Sequence, residues 1–401
     1  MIDFPGINEI CTPTKSKILM LVVDGLGGSV DQAKGGSELD LANIPNLDSL
    51  ASTSACGLTT PVLPGITPGS GPGHLSLFGY DPIKYLMGRG VLEALGIEAN
   101  MKNGDIAARG NFCTTDSEGN LLDRRAGRIK SAETIPLCEE LNKITVPGAQ
   151  IEVIPVQDYR FVVMFRGIGM DERVTETDPQ ILSVPPRPVE ALVEESRNTA
   201  AAVNKFISEA KRILSKRDKA NMILLRGFSQ LPTLPDFGLT YRLNPAAIAA
   251  YPMYRGLAKI VGMKVIPTGQ TFDQEITTLE QNFRDHDFIY LHYKPADAAG
   301  EDGDFDAKVA ALEELDKFIP RLLEINPDVL VVAGDHATPS VLAAHGWQPV
   351  PFMIKSQFTS GEGVKEFTER SCSAGSLGQI HATQAMLLAL AHAGKLTKFG
   401  P

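Results

Sequence analysis

The stretch Lys17-Ile18-Leu19-Met20-Leu21-Val22-Val23-Asp24-Gly25-Leu26-Gly27-Gly28 decides how the rest of the chain is read. An unbroken apolar run of strand length suits a parallel strand buried on both faces, with no wet side. Asp24 then lies just past the strand's carboxyl end, where open α/β sheets collect their ligands. Three further runs share this texture: Met222-Ile223-Leu224-Leu225-Arg226-Gly227, Phe288-Ile289-Tyr290-Leu291-His292-Tyr293 and Val329-Leu330-Val331-Val332-Ala333-Gly334. Helical stretches lie around and between them, among them an amphipathic one from Val189 to Leu214 and another from Ala307 to Leu323. Strands alternating with helices predict an α/β fold with a doubly wound, mostly parallel sheet.

The texture changes between residues 100 and 188. Short alternating runs appear at Asp105 to Arg109, Gln150 to Pro155 and Arg160 to Arg166, separated by turn residues. This predicts a smaller α+β domain over 100–188, inserted into a core domain made of 1–99 and 189–401. The 401 residues, 43% of them hydrophobic, suffice for two cores. A formal net charge of −10 argues against nucleic acid or a membrane surface as partner. No apolar run approaches the roughly 20 residues of a membrane helix. The Ile18–Val23 run is too short for a signal-peptide core. Five scattered cysteines without a C-x-x-C pair point to free thiols in a reducing compartment, hence a cytoplasmic protein.

Chemistry gathers at the strand ends. The first run ends in Asp24 and the last in Asp335-His336, while the third leads into Tyr293-Lys294-Pro295-Ala296-Asp297-Ala298-Ala299-Gly300-Glu301. In one parallel sheet these ends converge on one edge, and carboxylates crowded there repel unless cations neutralise them. Mixed Asp/His donors suit Mn²⁺ or Zn²⁺ over Ca²⁺, and Mg²⁺ is compatible. A pair of such ions is the usual device for phosphoryl transfer. The segment Pro68-Gly69-Ser70-Gly71-Pro72-Gly73-His74 offers a hydroxyl, Ser70, at the start of a helix, where an attacking or phosphorylated serine would be placed. Alone, that segment reads more readily as a surface turn whose serine caps a helix. Of the seven histidines, His336 reads as a ligand. His345 lies in an irregular loop, His345 to Phe352, near the same strand end. His381 reads as structural on a C-terminal helix, and His286 and His392 as partnerless.

Other patterns carry less. Asp302-Gly303-Asp304-Phe305-Asp306 lacks the glycine a calcium loop needs at its sixth position and reads as a capped helix start. Gly25-Leu26-Gly27-Gly28 lacks the third glycine of a dinucleotide fingerprint, and neither a Walker A motif nor a G-x-S-x-G elbow is present. Asp123-Arg124-Arg125-Ala126-Gly127-Arg128-Ile129-Lys130 places four positive charges within seven residues of an acidic chain. Such a run is usually a solvated face, but guanidinium forks also hold carboxylate and phosphate. Arg109, Arg125 and Arg128 are the candidate anion binders, and Asp123 is placed to orient a hydroxyl or pair with one of them.

Taken together, Val23-Asp24-Gly25, the block Pro68-Gly69-Ser70 through His74-Leu75-Ser76-Leu77-Phe78-Gly79-Tyr80-Asp81-Pro82, Gly88-Arg89-Gly90, Asp297 to Gly303, Gly334-Asp335-His336 and His345 with Pro349-Val350-Pro351 resemble the cofactor-independent phosphoglycerate mutases of the archaeal-type branch, members of the alkaline phosphatase superfamily. The resemblance spans nearly the whole chain. It implies an alkaline-phosphatase-like metal-binding sheet domain and a smaller inserted domain that closes over phosphoglycerate. It also implies interconversion of 2- and 3-phosphoglycerate with two divalent metals, Mn²⁺ favoured, and without bisphosphoglycerate. By the same resemblance Ser70 is the serine that becomes phosphorylated. Asp24, Ser70, Asp335 and His336 match the ligands of one metal, and Asp297, Glu301 and His345 those of the other. Position 301 is His in many relatives, so Glu301 makes that site harder and more anionic. Gly71-Pro72-Gly73 stands where archaeal relatives carry Asp-Thr-Ala. Rival readings on the same scaffold are a metal-dependent phosphomonoesterase, a phosphonate hydrolase or another phosphomutase. A metal-binding paralogue with weak or no catalysis is the rival from another class.

Overall fold

The computed structural model describes residues 1–167, 169–359 and 363–400. The chain folds into two compact units, one of Met1–Leu86 with Leu234–Pro401, the other of Met87–Thr233. Along the described residues the strands are β1 (Ile18–Val23), β2 (Ala55–Thr60), β3 (Ile106–Thr115), β4 (Leu121–Asp123), β5 (Gln150–Pro155), β6 (Arg160–Arg166), β7 (Met222–Ser229), β8 (Pro245–Ile248), β9 (Lys264–Val265), β10 (Phe288–Tyr293), β11 (Val329–Ala333), β12 (Val350–Ser356) and β13 (Gly378–His381).

The first unit holds a sheet in the order β13-β2-β12-β11-β1-β10-β8-β9. Its centre is parallel, β1 lying between β10 and β11, and only β12 runs against its neighbours β11 and β2. This is the expected α/β sheet, mostly parallel. Leu19, Leu21 and Val23 of β1 enter a core with Leu47, Leu50, Ile276, Leu279, Leu312 and Leu315 from three helices. Ile18, Met20 and Val22 are buried on the other face. Each such side chain contributes roughly 1.5–3 kcal/mol of burial, which is why an apolar run survives here without alternation. The register places Val23 opposite Tyr293 and Val22 opposite Ala333. The segments after these three strands therefore leave the sheet at one edge.

The second unit is larger than the expected 100–188 insert. Its sheet joins β4-β3-β6-β5, with β7 pairing antiparallel to β3 from Met222 beside Cys113 to Ser229 beside Ala107. The Met222 run is thus a strand of this second sheet and not of the parallel one, and it carries the boundary from 188 to 233. The other boundary moves from 100 to 87 because the helix Arg89–Gly96 packs on β3, with Gly90 so close that a Cβ would come within 2.7 Å of the Ala108 Cα. The helix expected from Val189 begins only at Arg197. The Asn204 side chain hydrogen-bonds both backbone groups of Val189 and holds that segment extended. The stretch Ala307–Leu323 is two helices, Phe305–Asp316 and Ile319–Glu324. Pro320 lacks an N–H and clashes with a helical carbonyl four residues back, so one helix cannot run through. Residues 350–352, expected in an irregular loop, open β12.

Candidate functional site

Asp24, Lys294 with Asp297, and Asp335 with His336 follow β1, β10 and β11 respectively, so three neighbouring parallel strands deliver them to one edge. All but Lys294 are fully buried. Ser70 opens the helix Ser70–Leu77, capped by Gly69, so the first-turn amides beside its hydroxyl lack intrahelical acceptors. His74, one turn on, places Nδ1 2.8 Å from the Ser70 carbonyl and 3.1 Å from Asp335 Oδ2. The serine backbone is thereby tied to the strand-end acid.

Two clusters result. In the first, His336 Nε2 lies 3.1 Å from Ser70 Oγ, 3.3 Å from Asp24 Oδ1 and 3.1 Å from Asp335 Oδ2. In the second, His345 Nε2 lies 3.6 Å from Asp297 Oδ1 and 3.5 Å from Glu301 Oε1. The Nδ1 of His345 is 2.9 Å from the Pro68 carbonyl, which keeps Nε2 turned inward and links the serine loop to this cluster. One donor atom each from Asp24, Asp335 and His336 fall within 4.8 Å of one another, as do those of Asp297, His336 and His345. Glu301 stands at the exposed rim of the second cluster, at the end of the helix Pro295–Glu301.

The donor set fits divalent cations. Asp24 Oδ2 takes hydrogen bonds from Tyr254 Oη, from Lys294 Nζ at 3.0 Å and from His292 Nε2 at 3.2 Å. Asp24 Oδ1, fully buried, makes no hydrogen bond, and the buried Asp335 Oδ2 meets only imidazole nitrogens, His74 Nδ1 and His336 Nε2, each at 3.1 Å. Bare buried oxygens facing an imidazole nitrogen are what a cation would satisfy, since each otherwise carries its full desolvation cost. Lys294 also hydrogen-bonds Asp297 Oδ2 and so bridges the acids of the two clusters.

The electrostatics follow from this packing. Burial pushes the Asp24 carboxyl up, but the Lys294 charge and the His292 hydrogen bond outweigh it and hold Asp24 well below the usual carboxylate range. Burial and the Asp24 charge raise the Asp297 carboxyl. Burial drives His336 down and drives His292 down to about 4, so both are neutral rings. His345 rises to about 9 despite its burial, because Glu301 and Asp297 face it.

Every expected metal-ligand position is thus brought to this edge. The expected anion binders lie in the second unit. Asp123 accepts hydrogen bonds from the Arg125 and Gly127 amides and so builds the turn that carries the arginines. Ala126, Gly127 and Arg128 all have positive φ, a conformation costly for Ala and Arg. Arg125 and Arg128 are exposed, and Arg124 forms a two-pronged pair with Asp178. Arg109, on β3, lies 3.4 Å from the buried Glu93. His381 ends β13 instead of lying on a helix, with Nε2 2.6 Å from the Val62 carbonyl. His392, expected without a partner, has Nδ1 2.7 Å from Ser356 Oγ, and His286 Nδ1 lies 3.3 Å from the Asn244 carbonyl. Asp304 caps the helix Phe305–Asp316 through the Ala307 amide, as the missing calcium-loop glycine implied.

Sequence reasoning missed Tyr254, His292, Lys294, Thr338 and the role of His74. His292 had a signal, a polar residue inside an apolar strand. Lys294 had a weaker one, its place between a strand end and Asp297. Tyr254 sits in the amphipathic helix Pro252–Ile260 and had none.

Comparison with known proteins bears on the whole chain. Residues 51–219 match the family model described as 2,3-bisphosphoglycerate-independent phosphoglycerate mutase. A Thermosipho africanus protein named "Probable 2,3-bisphosphoglycerate-independent phosphoglycerate mutase" is 49% identical over 396 residues, covering 98% of each chain. A protein of the same name from Thermotoga maritima is 50% identical over 397 residues, again with 98% of each covered. Among solved structures, the cofactor-independent phosphoglycerate mutase of Thermoplasma acidophilum superposes with a TM-score of 0.67 at 27% identity, covering 94% of this chain and 100% of that one.

Proposed function

The chain belongs to the 2,3-bisphosphoglycerate-independent phosphoglycerate mutases, and we infer that it interconverts 2- and 3-phosphoglycerate through a phosphoserine on Ser70. The observation that carries the serine route is the position of Ser70 Oγ, at a helix start and 3.1 Å from a neutral His336 Nε2. Asp24, Ser70, Asp335 and His336 would hold one divalent cation, and Asp297, Glu301 and His345 the other. When bound, such cations neutralise the acids, ease loss of the serine proton and polarise the phosphoryl group. We favour Mn²⁺, with Mg²⁺ or Zn²⁺ compatible, because the donors mix carboxylates, a hydroxyl and imidazoles.

Ser70 Oγ attacks phosphorus, the bond from phosphorus to the substrate's O3 breaks, and O3 takes up a proton. The glycerate then presents its 2-hydroxyl, whose oxygen attacks phosphorus as the bond from phosphorus to Ser70 Oγ breaks, and the proton the 2-hydroxyl gives up returns to Ser70 Oγ. The route is proton-neutral overall and needs no bisphosphoglycerate. His74, by holding the Ser70 carbonyl, keeps the hydroxyl on the cluster through both halves. Water reaching the phosphoserine would turn the reaction into hydrolysis. Arg109 on β3, together with Arg125 and Arg128 on the turn that Asp123 shapes, are our assignment for the substrate's anionic groups. Five buried, unpaired cysteines support a cytoplasmic setting.

The test follows 2-phosphoglycerate and free phosphate from 3-phosphoglycerate with Mn²⁺, then Mg²⁺. The expected result is isomer with little phosphate, a phosphoryl group trapped on Ser70, and a loss of about 10⁴-fold or more in Ser70→Ala. Phosphate without isomer would mean a hydrolase, and no product of either kind would overturn the assignment.

A further inference from the structure

Thr338 is fully buried two residues after His336, and its hydroxyl touches both clusters. Thr338 Oγ1 lies 2.7 Å from Asp297 Oδ1 and 3.0 Å from His336 Nδ1. A hydroxyl has one proton to give, and a carboxylate can only accept. The Thr338 proton therefore goes to Asp297, and the Oγ1 lone pair must face an N–H on His336 Nδ1. A neutral ring protonated at Nδ1 is bare at Nε2. That bare nitrogen is the atom facing Ser70 Oγ, Asp24 Oδ1 and Asp335 Oδ2.

The threonine is held for this task. Its N–H donates to the Gly27 carbonyl at 2.9 Å. Its own carbonyl accepts from Lys308 Nζ at 2.8 Å, and the same ammonium reaches the Gly27 carbonyl at 2.9 Å. Lys308 is fully buried, a costly placement for a lysine, and here it ties the loop after β1 to the loop after β11. On the remaining side Gly25, at φ 67°, leaves room for the hydroxyl: a Cβ there would lie 2.6 Å from Thr338 Oγ1.

We propose that Thr338 is a positioning residue that couples the two cation clusters, orienting Asp297 in one and fixing His336 as the Nδ1–H tautomer in the other. The proposal rests on the two-cation reading above. A group that hydrogen-bonds a metal ligand from the side away from the metal typically changes metal affinity by about 10–100-fold when removed.

The test compares Thr338→Val, which keeps the shape but loses the hydroxyl, with Thr338→Ser, which keeps it. Imidazole ¹⁵N shifts of the full-length protein without metal read the His336 tautomer, with His336→Asn assigning the signal. Mn²⁺ titration by calorimetry reads affinity. The expected result is the Nδ1–H form in the unsubstituted protein and in Thr338→Ser. Thr338→Val should mix tautomers and bind Mn²⁺ roughly 10–100-fold more weakly, while Thr338→Ser stays within about threefold. An Nε2–H form in the unsubstituted protein would overturn the proposal whether or not Thr338→Val folds, as would unchanged Mn²⁺ affinity in a folded Thr338→Val. The expected tautomers with no Mn²⁺ bound by the unsubstituted protein would overturn the cation reading and, with it, the coupling of two cation clusters, leaving the tautomer assignment alone.

Discussion

Asp24 commits one carboxylate oxygen to Tyr254, His292 and Lys294 and leaves the other bare. That division is what would let a strand-end acid serve as a ligand in the proposed reading, and its first half was legible. An Asp after an apolar run is visible in sequence, as is Asp335-His336. The donors that orient Asp24 come from residues 254, 292 and 294, and no local pattern marks Tyr254 as their companion. Glu301 is the reverse case, a residue named from resemblance whose place at the rim only geometry supplies. Its side chain is 55% exposed, so water screens its pairing with His345 and its removal should cost about 1 kcal/mol or less. We expect Glu301→Gln to keep its melting temperature but to bind Mn²⁺ about tenfold more weakly by calorimetry. We expect Glu301→His to restore binding and to shift preference toward Zn²⁺. Mn²⁺ binding unchanged in the Gln variant would remove Glu301 from the ligand set.

Apolar runs report burial on two faces, and that is how far they can be read. β1, β10 and β11 are covered on both faces by belonging to a parallel sheet. β7 has the same texture for another reason: the helices Arg89–Gly96 and Arg197–Leu214 both pack on it within an antiparallel sheet. The run over 222–227 is therefore recognisable as a strand but not assignable to a sheet. β2, Ala-Cys-Gly-Leu-Thr-Thr, lacks strand-like composition and is a strand because β12 and β13 pair on its two sides. The packing of Arg89–Gly96 on β3 and β7 leaves no space at Gly90, where a Cβ would meet the Ala107 backbone. Gly90→Ala should lower stability by about 1–3 kcal/mol in urea unfolding. A change below about 0.5 kcal/mol would show that the helix can shift outward at little cost.

Stability of the first unit should depend on pH through a residue away from the candidate site. Glu275, in the first turn of the helix Phe272–Asn282, is 5% exposed and accepts a hydrogen bond from the Ala250 amide at 2.7 Å. Burial lifts its carboxyl from 4.5 to about 8. The folded state thus holds this proton more tightly than the unfolded chain does, so stability falls as pH climbs from about 4.5 to about 8 and stays low above that. Such a shift corresponds to a few kcal/mol. Glu275→Gln cannot ionise, and we expect it to melt several degrees higher than the unsubstituted protein at pH 8 and at nearly the same temperature at pH 4.5. Equal melting at pH 8 would mean that the carboxylate is solvated in the folded state. Taken alone, the sequence determined the α/β class, the sheet edge on which the acids gather, the serine at a helix start and the candidate ligand types. Each of these follows from chain-local features: periodicity, Gly/Pro spacing and side-chain chemistry. Tertiary structure alone decided the unit boundaries at 87 and 233, the sheet to which β7 belongs and the contacts of Thr338, Lys308, Tyr254 and Lys294 around the clusters. Those depend on which distant segments pair and on which single atom of a side chain meets another, and contacts between residues hundreds of positions apart, such as the 310 that separate Gly25 from Asp335, leave no periodic trace along the chain.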